Sequence, residues 1–139
     1  MATHNPYLGF RDNAREAITF YQTVFGGELT IMTFSELGLS EDASESEKIG
    51  HSQLETPSGF TLMAADTLET TPYTAGDNFT ISISGSAAEE TELRGYWDAL
   101  VNGGTVTAPL ALAPWGDLFG QCTDKYGVQW LINATGPNG

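Results

Sequence analysis

Basic residues are scarce in this chain: 5 lysines and arginines stand against 18 aspartates and glutamates, for a net charge of −13. A field of that sign repels phosphate backbones, so nucleic acid is excluded as a partner. It suits a cationic ligand, and it serves solubility equally well. The single cysteine, Cys122, has no partner for an internal disulfide, which fits a cytoplasmic protein. It reads as a small buried hydrophobe with no evident histidine beside it for nucleophilic chemistry. No run nears the roughly 18 apolar residues of a membrane helix. The opening ATHNPYLGF has neither the basic start nor the apolar stretch of a targeting peptide, so we expect a soluble, untargeted chain without a membrane partner. Glycine-rich loops of the GxGxxG or GxxxxGK kind are missing between strand and helix, which removes nucleotide cradling.

What is present begins with residues 6–27, PYLGFRDNAREAITFYQTVFGG. Tyr7, Leu8 and Phe10 read as a short strand, broken by Arg11, Asp12 and Asn13, which favour turns and caps. Asn13 and Glu16 have the spacing of a capping box. Ala14, Ala17, Ile18, Tyr21 and Phe25 then trace one buried helical stripe, stopped by Gly26 and Gly27. Residues 28–34 follow as a strand, and 35–47, SELGLSEDASESE, as an acidic, aperiodic mobile loop. Two strands, 49–55 and 60–65, flank the turn Thr56-Pro57-Ser58-Gly59. Threonine-rich residues 67–76, with Pro72 and Gly76, form a linker.

The plan then repeats. Residues 78–84, NFTISIS, alternate strictly, which predicts a strand burying Phe79, Ile81 and Ile83. Ser86 and Glu89 form a second capping box, and Leu93, Tyr96, Trp97, Leu100 and Val101 a second helical stripe. Short strands are expected at 105–107, 118–123 and 128–133. GGELT at 26–30 and GGTVT at 103–107 remain as the visible trace of the repeat. The fold class is therefore α+β, with βαβββ twice in one domain of 139 residues: module one about 5–66, module two about 77–135.

PYLxF, EAIxFY and FGG in the first module, with Leu62-Met63-Ala64-Ala65-Asp66, Gly103-Gly104, Trp115-Gly116, Phe119-Gly120 and Asp124-Lys125-Tyr126-Gly127-Val128 followed by Trp130 and Ile132-Asn133, occur in an order that resembles one family. It is the PhnB-like branch of the vicinal oxygen chelate (glyoxalase, bleomycin-resistance and dioxygenase) superfamily. The resemblance covers residues 6–133 and implies a curved, cup-like mixed sheet with helices outside, a ligand on the concave side, and a homodimer. It also implies a lid role for 35–47. Relatives of this branch are sometimes labelled ubiquinone-pathway methyltransferases, for which the chain offers no cofactor loop.

Strand alternation puts Asn78, Thr80 and Ser82 away from the second helix, with Gln129, Leu131 and Asn133, while His51, Gln53 and Glu55, and Thr61 and Met63, take the same side in the first module. With the resemblance, the expected ligand-binding set is Gln53, Thr61, Met63, Asn78, Thr80, Gln129 and Leu131, joined by Trp115 and Phe119 as an aromatic wall. The family's metal positions fall at Pro6, Met63, Thr80 and Leu131, which is no donor set for a divalent ion, so neither metal nor other cofactor is expected. His51 is the candidate catalytic residue, as acid or base, although the sequence shows no partner for it. Asp66, ending its strand, reads as a cap or a ligand contact. Two readings stay open: a metal-free binding protein for a small organic molecule, the acidic charge favouring a cation, or a vicinal-oxygen-chelate enzyme (lyase, isomerase or dioxygenase-like). The enzyme would use His51, or a divalent ion held from among His4, His51, Glu55 and Asp66.

Overall fold

Each half of the chain is a βαβββ module whose first strand lies parallel to its last. In the first, β1 (Tyr7–Phe10), α1 (Ala14–Phe25), β2 (Glu28–Thr33), β3 (Ile49–Glu55) and β4 (Thr61–Asp66) give a mixed sheet of order β1-β4-β3-β2. In the second, β5 (Ile81–Gly85), a 3₁₀ turn (Ala87–Glu89), α3 (Glu90–Val101), β6 (Thr105–Leu112), β7 (Leu118–Thr123) and β8 (Gln129–Ala134) repeat it as β5-β8-β7-β6. The structure, a computed structural model, describes residues 2–39 and 42–136. By contacts the chain divides into two units between Ala75 and Gly76. The α+β class with two similar modules is as the sequence led us to expect.

The helices cover one face of each sheet. Ala14, Ala17, Ile18, Tyr21 and Phe25 of α1 are all buried, and Leu54, Leu62 and Ala64 are buried with them on β3 and β4. In the second module Leu93, Tyr96, Trp97 and Leu100 of α3 are buried, as are Leu118, Cys122, Trp130 and Ile132 of β7 and β8. Burying such aromatic and aliphatic side chains is the main stabilising term for domains this small. The paired glycines have a steric reason. A Cβ on Gly27, whose φ is +106°, would stand 2.0 Å from the Glu55 carbonyl oxygen, and one on Gly104 would stand 2.3 Å from that of Thr123. In both modules the second strand thus starts hard against the end of the third.

Several expectations need correcting. The Asn13 side chain makes no cap; the helix start is held by Asp66, whose Oδ1 accepts from the Ala14 N–H at 2.9 Å. Ser86 and Glu89 do form their capping box. The segment 35–47 is not all loop, because α2 (Phe34–Leu37) opens it with a capping box between Thr33 and Glu36 and an αL stop at Gly38. Glu45 in the same segment is buried and accepts from the Glu69 N–H at 2.7 Å. Ser40 and Glu41 lie outside the described residues. β5 starts at Ile81 rather than Asn78, and Phe79, expected in the core, is 84% exposed. Alternation alone cannot tell a strand from extended chain that pairs with nothing. β6 runs to Leu112, through Pro109, which an outer strand with one unpaired edge tolerates.

Three outcomes are expected. Gly27→Ala and Gly104→Ala each lower the unfolding free energy in urea by about 1–3 kcal/mol, from overpacking and, at Gly27, backbone strain. Gly9→Ala, where an added methyl meets nothing within 4 Å, leaves it unchanged; equal midpoints for all three would remove the steric account. Asp66→Ala strands the buried N–H groups of Ala14 and Ile49 at about 1–3 kcal/mol for each, and a variant as stable as the parent would refute that role. Burial, with Asp124 nearby, pushes the Cys122 thiol up from 9.0 to about 11. Because the folded value is the higher, stability carried by the neutral thiol is complete below pH 9.0 and lost as pH rises towards about 11. Ellman's reagent should therefore react with Cys122 only after unfolding, and rapid labelling of the native protein would contradict this.

Candidate functional site

With α1 on one side of the first sheet, the residues of opposite parity form its open face. The register aligns them across four strands: Tyr7 with Met63, Met63 with Gln53, Gln53 with Thr30, and His51 with Met32. His51, Gln53, Thr61 and Met63 of the expected set therefore share one surface with Tyr7, Met32 and Glu55. The strand β4 shows why: Leu62, Ala64 and Asp66 are buried, while Thr61, Met63 and Ala65 between them are only half-buried.

A chain of hydrogen bonds crosses this face. Tyr7 Oη lies 3.0 Å from His51 Nδ1, with the two rings 5.6 Å apart and tilted by 43°. His51 Nε2 lies 3.5 Å from Gln53 Oε1, and Gln53 Nε2 donates to Glu55 Oε1. Thr61 Oγ1 donates to the other carboxylate oxygen at 2.7 Å. The Gln53 amide, then the Thr61 hydroxyl, hold the Glu55 carboxyl below its ordinary range, and partial burial raises the Tyr7 phenol. The histidine partner that the sequence did not reveal is thus Tyr7. Its place in β1 was legible, but its neighbour was not, because a parallel pairing with β4 more than fifty residues away leaves no local signal.

Asp66 is not on this face. Its two oxygens accept from Ala14 N and Ile49 N, each at 2.9 Å, so its capping role is structural. A cleft of about 640 Å³ opens on the helix side of the same module, lined by Asp12, Asn13, Arg15, Glu16, Glu47 and Lys48 among others. Its cations are engaged: Lys48 Nζ is 2.6 Å from Asp12 and 3.6 Å from Glu69, and Arg15 donates to the Glu47 carbonyl at 3.3 Å. The Asp12 contact chiefly raises the lysine's pKa. The sheet face aligns a histidine with other polar groups, whereas the lining of this mixed-charge cleft contains no histidine.

In the second module the open face carries Ser82 and Ser84 of β5, Phe119, Gln121 and Thr123 of β7, and Gln129, Leu131 and Asn133 of β8. Trp115, 64% exposed in the β6–β7 turn, meets Phe119 edge-on at 5.4 Å. Asn78 and Thr80 precede β5 and are exposed rather than part of the sheet; the Thr80 hydroxyl donates to Gln129 Oε1 at 3.4 Å. None of these side chains is charged. Buried Asp124 serves the opposite face, accepting from Trp130 Nε1 at 2.8 Å.

The donor chemistry does not fit a hard divalent ion at the family positions. Pro6 and Leu131 bring no side-chain ligand, Met63 brings a soft thioether, and Thr80 only a neutral hydroxyl. Among the described residues, no three His, Cys, Asp or Glu side chains gather as a metal group.

Comparison with known proteins agrees with this architecture. A protein of Pseudomonas aeruginosa, PA1353, is 34% identical, covering 98% of this chain and 99% of its own with a TM-score of 0.83. The PhnB protein from Bacillus cereus shares the fold at 22% identity, covering 96% of this chain and all of its own, with a TM-score of 0.72. A glyoxalase, bleomycin resistance protein or dioxygenase from Nocardioides does so at 18% identity, covering 100% of this chain and 86% of its own, with a TM-score of 0.61. The sequence profile of the 3-demethylubiquinone-9 3-methyltransferase family matches residues 2–133. The chain belongs to that family, and its fold is the one seen in glyoxalase, bleomycin-resistance and dioxygenase proteins.

Proposed function

We propose that this chain is a small-molecule-binding protein of the glyoxalase and bleomycin-resistance type, working without a metal and taking its ligand on the open face of the first module. The observation that carries this reading is the hydrogen-bonded set Tyr7, His51, Gln53, Glu55 and Thr61, held on a rigid sheet beside Met63. Rigid strands hold such groups in place without a ligand, which lowers the cost of binding. On the second module, Gln129, Leu131, Phe119 and Trp115 supply amide, aliphatic and aromatic surface suited to the same kind of molecule. Methyl transfer, named in the family's description, is not part of the reading: no glycine-rich turn precedes α1, and its N-terminus is occupied by Asp66. The reading includes a homodimer, for which exposed Leu112 and Trp115 beside the unpaired edge of β6 are the support.

One contact favours a second reading, an enzyme. The Tyr7 hydroxyl gives His51 the partner a general acid or base needs to hold its tautomer and orientation. Protein purified without chelator separates the two. We expect no stoichiometric divalent ion, no melting shift on adding one, and small-molecule hits from a thermal screen whose NMR perturbations centre on His51, Gln53 and Met63. A tightly held ion with a large melting shift would sink the metal-free reading. If His51→Ala keeps the affinity for a hit but abolishes its turnover, the enzyme is correct.

A further inference from the structure

The class of ligand can be read from the direction in which the hydrogen bonds of the first module's open face run, an inference that rests on that face being the binding site. An ionised carboxylate only accepts, so the chain is fixed from its Glu55 end. Gln53 must turn its NH₂ towards Glu55 and hence its carbonyl oxygen towards His51. That oxygen needs a donor, so a neutral His51 ring carries its proton on Nε2. Nδ1 is then a bare acceptor, and the hydroxyl 3.0 Å away on Tyr7 spends its only proton there. Thr61 spends its proton on Glu55 in the same way.

Apart from the second N–H of the Gln53 amide, every donor in this chain therefore points inward, and the rest of its free capacity is lone pairs, chiefly those of Tyr7 Oη, Thr61 Oγ1 and the Glu55 carboxylate. The strand partner of Glu55 is Glu28, a second carboxylate on the same face. The open-face positions of β1 to β4 hold no lysine or arginine. The thioethers of Met32 and Met63 and the half-exposed ring of Tyr7 add polarisable surface, which favours organic cations over hydrated inorganic ones. We infer that the ligand is an organic cation that donates hydrogen bonds, an ammonium or amidinium group on an apolar body, and that organic anions are rejected there.

With two histidines in the chain, long-range proton–nitrogen NMR resolves the His51 ring, and at mildly alkaline pH the Nε2–H tautomer is expected. Benzylammonium, benzyltrimethylammonium and benzoate are then titrated separately. Benzylammonium should move the Tyr7 and His51 signals and bind about tenfold to a hundredfold more tightly than the donor-free cation, as a hydrogen bond to a charged group warrants. Benzoate should leave those signals in place, and Tyr7→Phe should remove the advantage of benzylammonium. Glu55→Gln, which puts a donor at the end of the chain, should let the Nδ1–H form appear. An Nδ1–H ring in the parent, an unchanged tautomer in Glu55→Gln, or benzoate binding as well as benzylammonium overturns the ligand class while leaving the face a binding site. If none of the three probes moves those signals, the face is not a binding site and the inference falls with it.

Discussion

The carboxylate of Asp66 is the fixed point of the first module. It is the last residue of β4, buried, and it takes the first N–H of α1 with one oxygen and the first N–H of β3 with the other. A buried acceptor with two backbone partners cannot trade places with its neighbours, because a one-residue slip of β4 would turn it to the opposite face and leave both N–H groups unpaired. The parity of β4 is thereby set, and with it the side on which Thr61 and Met63 stand. Pairing then passes that choice to β3 and β1, which is how His51 and Tyr7 come to meet.

The second module solves the same problem differently. Its helix is introduced by a local device, the Ser86 and Glu89 box, and the residue at the end of β8 is Ala134. The burden of fixing parity falls there on Asp124, which gathers the N–H groups of Tyr126 and Val128 and the indole of Trp130 at the turn into β8. Two copies of one topology thus anchor their sheets at opposite ends of the last strand.

That contrast explains what could be read from the residues. Local signals were legible: the two helical stripes, the Ser86 box, the glycine pairs and the polarity of β3 and β8 all rest on neighbours within a few positions. Long-range partners were not. Asn13 looked like the cap of α1 because its true cap is 52 residues away. Phe79 looked buried because strict alternation is also what an unpaired approach to a strand can show, and it is exposed. The length of β6 was hidden by Pro109, which argues against a strand everywhere except at an edge. His51 was visible as a candidate, whereas Tyr7 could be joined to it only through a parallel pairing that no local pattern encodes.

The two faces of each sheet have been under different constraints. On the helix side the modules match in kind: a stripe of aliphatic and aromatic residues, a close glycine approach at the start of the second strand, and one buried aspartate holding backbone N–H groups. On the open side they diverge. The first carries a histidine, a tyrosine and two carboxylates, and the second only hydroxyls, amides and apolar groups. Packing demands complementary volumes and so holds one face to a narrow range of solutions, while a solvated face is free to follow chemistry. Where a repeated unit keeps its inner surface and changes its outer one, the changed surface is the one whose side chains the packing of the core does not dictate.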